Sequence, residues 1–162
     1  MMTRSLSAAI AFAGATILFG GSALSAQMMG QGMGRGMGHP SMARHHEAMM
    51  NGIPAKFADL RNPLPIDSAT LSAGRQVYQA DCASCHGAEG RGDGPLARTL
   101  NPPPADLAWS ARMPLSRQDG YLYWTIAEGG QQFGTAMPAF GQALTRKQAW
   151  SVIAYIQHDL GR

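Results

Sequence analysis

Charged residues make up only 14% of this 162-residue chain, against roughly 25% in an average soluble domain. The charges nearly balance, 13 Lys+Arg against 10 Asp+Glu, so total charge gives no reason to expect nucleic-acid binding. Cysteine is scarcer still. The two present are three positions apart, which excludes a disulfide-stapled secreted scaffold. No period-two run of any length appears, so nothing argues for a sheet. A mean hydropathy of −0.14 excludes a polytopic membrane protein. What the chain has in excess is methionine, with 11 copies.

Residues 1–26 carry a basic start at Arg4, an apolar stretch from Ala8 to Phe19, and then small residues. That is the layout of a secretory signal peptide, cleaved after Ser25 or Ala26. The apolar part is shorter than the roughly 18–20 residues a span needs, so no integral membrane span is expected after cleavage. Residues 27–62 read as a Met/His/Gly-rich disordered tail and linker. Seven of the 11 methionines and His39, His45 and His46 fall here, and alternating glycines make the backbone costly to order. Thioethers suit Cu(I) and imidazoles Cu(II), so copper at this tail is a possible partner; the plainer reading is a flexible spacer.

Residues 63–162 read as a helical domain. Thr145 with Gln148 forms a capping box for the last helix, whose apolar positions Ala149, Val152, Ile153, Ile156 and Leu160 keep helical spacing. Ser116 with Asp119 reads as a second box, opening a helix that Gly129-Gly130 closes. A third helix runs from about Thr70 to Asp81. Between the helices, residues 87–114 are rich in Gly and Pro. Three main helices joined by long loops leave a thin core, and something else must fill the interior.

The helix from Thr70 runs into Cys82-Ala-Ser-Cys85-His86. Two cysteines at this spacing match the two vinyl groups on one porphyrin edge, and the adjacent imidazole is placed to ligate iron. A zinc site would need further close ligands, and no second C-x-x-C is present. One covalently attached haem c is therefore expected, bound through Cys82 and Cys85 with His86 as proximal iron ligand. For the sixth position the domain offers Met113 and Met137, both before a proline, and also His158. Met137 is favoured because Pro138 stiffens the interhelical loop that presents it, while His158 points away from the apolar stripe of its helix.

This pattern resembles the class I (mono-haem) cytochrome c family of bacterial periplasmic type, over essentially all of residues 63–162. Gly74 and Tyr78 match the family's glycine and aromatic on the N-terminal helix, with Tyr155 as partner on the C-terminal helix. Cys82, Cys85 and His86 match the attachment motif, and G-T-A-M-P-A-F matches the distal loop, which also selects Met137. The resemblance implies that the Pro95 carbonyl accepts the His86 ring N–H. It implies an all-α cytochrome c fold wrapped around one haem. The function then expected is a periplasmic carrier of single electrons between redox proteins, free or as a subunit of an oxidoreductase complex, and not an enzyme. The alternatives are a haem enzyme of peroxidase type, for which no distal His-Arg pair is visible, and a copper-handling protein using the tail.

Overall fold

The computed structural model describes residues 42–162. The expected signal peptide and residues 27–41 of the expected tail lie outside them. Seven α-helices follow in chain order: α1 Ala43–Asn51, α2 Ala55–Ala58, α3 Ser68–Asp81, α4 Ala83–His86, α5 Leu107–Ser110, α6 Asp119–Glu128 and α7 Arg146–His158. Single 3-10 turns sit at Ala97–Thr99, Leu115–Arg117 and Gln131–Phe133. Among the described residues there is no strand. α3, α6 and α7 are the three main helices expected from the sequence.

α3 and α7 begin where side chains satisfy their first N–H groups. Asp67 accepts from the Thr70 amide at 2.8 Å to start α3. At α7 the capping box forms: the Gln148 amide donates to Thr145 Oγ1 at 3.2 Å, and the Thr145 amide donates to Gln148 Oε1 at 2.9 Å. α7 buries every residue from Ala149 to Ile156, so it is the central strut of the core.

α3 crosses α7 at very short range, and Gly74 makes this possible. A Cβ on Gly74 would stand 2.0 Å from the Ser151 carbonyl oxygen and 2.8 Å from Tyr155 Cβ. One turn on, Tyr78 is fully buried and its ring lies 5.4 Å from that of Tyr155. The Gly74, Tyr78 and Tyr155 grouping expected from the resemblance is therefore present. Tyr78 also donates from its hydroxyl to the Gly87 carbonyl at 2.8 Å, which ties the helix pair to the loop after α4.

Two expectations about the secondary structure differ from what is found. The first is the disordered stretch 27–62, whose second half is folded. α1 buries Arg44 and Ala48, and Phe57 of α2 is in the core. The chain then crosses the start of α6: the Asn62 amide donates to Asp119 Oδ2 at 2.8 Å, and its side-chain amide donates to the Trp150 carbonyl at 3.0 Å. These partners lie far away in sequence, so local composition does not report them. The second is the Ser116–Asp119 capping box. α6 starts at Asp119, its N-cap Gln118 makes no side-chain cap, and Ser116 is buried within a 3-10 turn. The Asp119 carboxylate is taken by Asn62 and by Gln157, at 3.2 Å.

Candidate functional site

Cys82 ends α3 and at the same time begins α4, a single turn closed by the His86 amide donating to the Cys82 carbonyl at 2.9 Å. Helical spacing of three and four residues puts Cys85 and His86 on the same face as Cys82. Both cysteines are free thiols and half-buried. Burial, aided by the Asp81 charge, pushes the Cys82 thiol up to about 12, so it stays neutral.

The His86 ring Nδ1 lies 2.9 Å from the Ala105 carbonyl oxygen. A carbonyl only accepts, so this contact places the proton on Nδ1 and leaves the Nε2 lone pair free for a metal. Burial lowers the His86 pKa, opposed by that hydrogen bond. Burial favours the neutral ring, and the hydrogen bond selects its Nδ1-protonated tautomer.

The acceptor is a correction to the sequence reading, which gave the role to Pro95. The amides flanking Pro95 bind the back of the attachment turn: Gly94 N–H reaches the Cys85 carbonyl at 3.1 Å and Leu96 N–H the Ser84 carbonyl at 2.9 Å. Pro95 is left exposed. Ala105 instead follows the three consecutive prolines Pro102, Pro103 and Pro104. It is fixed in place because the Leu107 amide donates to the Gly90 carbonyl at 2.6 Å. The proline run is the only sequence signal that pointed there, since it stiffens the segment presenting the carbonyl.

Cys82, Cys85 and His86 open onto a cleft of about 1330 Å³, counting the part open to solvent. Leu122, Ile126, Phe140 and Ile156 are among its walls, and Met137 lines it from a separate loop. Met113 is not among its lining residues, and His158 is exposed on α7. The Met137 loop hangs from the end of α6: the Gly130 amide donates to the Met137 carbonyl at 2.9 Å, and the Phe140 amide to the Ile126 carbonyl at 2.9 Å. Trp109 and Arg98, whose side chains could pair with haem carboxylates, are exposed and outside the cleft lining. Arg44, which sequence reasoning did not single out, lines the cleft from α1.

Two thiols and an imidazole on one helical face, beside an apolar cleft that is also lined by the thioethers of Met42 and Met137 and by His45, fit a covalently attached haem. Among the described residues no group of three or more His, Cys, Asp or Glu could hold a metal ion by itself.

Comparison with known proteins agrees. The family described as cytochrome c oxidase, cbb3-type, subunit III matches residues 69–156. A cbb3-type cytochrome c oxidase subunit FixP from Sinorhizobium medicae is 32% identical over 103 residues, covering 60% of this chain and 32% of that protein. The chain thus spans about a third of that relative's length. Among solved structures, cytochrome c6 from the diatom Phaeodactylum tricornutum is 27% identical, with a TM-score of 0.39, covering 54% of this chain and 90% of that one. A reducing HAO-like protein complex of Kuenenia stuttgartiensis is 28% identical, with a TM-score of 0.49, over 61% of this chain and 46% of that one. With more than half of its residues inside the family match, and the attachment turn, helix pair and cleft that such a domain requires, the chain belongs to the cbb3-type cytochrome c oxidase subunit III family and is a class I c-type cytochrome.

Proposed function

We propose that the protein is an exported, single-haem electron carrier in which His86 and Met137 hold the iron and Cys82 and Cys85 the porphyrin. The observation that carries this reading is that Met137 lines the cleft onto which His86 opens from the interhelical loop and Met113 does not, while Met42 and His45, which also line it, belong to the segment at α1 outside the family match. When bound there, the haem supplies one-electron exchange between ferric and ferrous iron. His86 offers Nε2 because Ala105 holds its other nitrogen. Met137 offers a thioether, a soft donor that favours the ferrous state and raises the reduction potential relative to a second imidazole. Leu122, Ile126, Phe140 and Ile156 keep water from that side of the cleft and favour the less charged ferrous form. If His86 and Met137 both held the iron, no position on it would be open to substrate, which supports a carrier over an enzyme.

The partners are redox proteins met through small, transient contacts. The name of the FixP relative makes a cbb3-type cytochrome c oxidase the first acceptor to assay. No described helix is long and apolar enough to cross a membrane. A periplasmic location rests on the N-terminal signal layout, and N-terminal sequencing of the secreted protein should find it starting at Ala26 or Gln27. The ligand assignment is tested by the weak absorption band of methionine-bound ferric iron. Met137→Ala should abolish that band and Met113→Ala should leave it; the reverse outcome would sink the reading.

A further inference from the structure

The least expected side chain in the molecule is Arg44. It is 6% exposed, and it lies in α1, outside residues 69–156 that match the family. Its guanidinium is stacked 4.1 Å from the centroid of the Trp124 ring and 4.6 Å from that of Phe133. Nη2 donates to the Gly129 carbonyl, and Nη1 is shielded from solvent with no hydrogen-bond partner among the described residues. Among the described residues no carboxylate pairs with it directly: Glu128 is paired with Lys56 at 2.5 Å and accepts from Trp124 Nε1 at 2.9 Å. For stability alone, an apolar side chain of similar size would serve as well or better.

What Arg44 touches is the foot of the distal loop. Gly129 ends α6 at φ +63°, and a Cβ there would stand 2.5 Å from the Pro138 carbonyl carbon. Gly130 carries the loop by donating its amide to the Met137 carbonyl, and its own carbonyl accepts the Phe133 and Thr135 amides at 2.9 and 3.1 Å. Arg44 grips this foot twice, through the Gly129 carbonyl and through the Phe133 ring. A cation at the last carbonyls of α6 also suits the negative end of the helix dipole.

We propose that Arg44 is a positioning residue for the sixth iron ligand: it clamps the foot of the distal loop so that Met137 stays in the cleft and outside ligands are kept from the iron. This rests on Met137 as that ligand. The test uses full-length ferric protein carrying its haem, titrated with imidazole, which competes with the thioether. Arg44→Gln removes a charge-assisted hydrogen bond and should raise the apparent imidazole affinity about tenfold or more. Arg44→Lys keeps charge and a donor but loses the planar stack, and should fall between the two. Val152→Ala serves as a control: Val152 is fully buried in α7 and is not among the residues lining the cleft, so the change should leave imidazole affinity within about twofold, although it lowers thermal stability. Equal affinity changes in Arg44→Gln and Val152→Ala at matched loss of stability would overturn the clamp. So would an unchanged affinity in Arg44→Lys, which decides the matter if Arg44→Gln does not fold. Failure of Met137→Ala to remove the methionine band would instead overturn the ligand assignment, whatever Arg44 does.

Discussion

A missing side chain at Gly74 sets the distance between α3 and α7. A Cβ there would stand 2.0 Å from the Ser151 carbonyl oxygen. Gly74→Ala cannot be absorbed by a flexible neighbour, because the obstacle is backbone within the buried Ala149–Ile156 stretch of α7. The gain of about 1 kcal/mol from helix propensity is smaller than the cost of forcing two packed helices apart, typically ~1–3 kcal/mol and more where backbone must move. Gly74→Ala should therefore lower the urea midpoint of the haem-loaded protein, and an unchanged or raised midpoint would refute the close crossing. This glycine was legible from sequence through the family pattern. So were Cys82, Cys85 and His86, because their chemistry and their spacing are both local. The partner of the His86 N–H was not: a backbone carbonyl has no residue identity to read, and the loop bearing Ala105 could be placed only once its hydrogen bond to Gly90 was seen.

The elements divide in the same way. α7 announces itself by a capping box and a helical stripe, and forms as read. α1 offers A-R-H-H-E-A-M-M-N, with no branched apolar residue, and is held in place by Arg44 and Ala48 against partners some 85 positions away for the Gly129 carbonyl. Such a helix has no local signature. The α2–α6 connection is similar, since Lys56 reaches Glu128 at 2.5 Å. The hydrogen bond from Lys56, and then that from Trp124, holds the Glu128 carboxyl below its ordinary pKa, against an opposing effect of burial. A depressed folded pKa contributes stability that is present above the unfolded value and is lost as pH falls through the folded one. Glu128→Gln should then melt slightly below the parent at pH 7, by less than about 1 kcal/mol for a pair this exposed. The gap should close as pH falls below the ordinary carboxylate range. Melting curves at pH 7 and in acid check this, and a gap that widens in acid would contradict it.

At the scale of the whole molecule, the cleft separates two kinds of structure. On one side stands the α3–α7 pair, packed through Tyr78, Val152, Ile153 and Tyr155. On the other are loops that wall the cleft, the P-P-P-A segment and the Met137 loop. These loops are tied to the rest mainly by backbone hydrogen bonds to Gly90, Ile126 and Ala127. If no porphyrin were attached, the facing apolar walls of the cleft would lack partner atoms across it. The margin available to absorb that loss is small, because a domain of this size is stable by only ~5–15 kcal/mol. The haem-free chain should therefore keep part of its helix content through α3 and α7 while losing fixed packing around the cleft. Cys82→Ala/Cys85→Ala, purified free of haem, should show reduced far-ultraviolet helix signal, a collapsed near-ultraviolet signal and no cooperative melting. A haem-free chain that melts cooperatively within a few degrees of the loaded protein would show that the loops stand by themselves, and that the porphyrin is a guest in this fold and not part of its core.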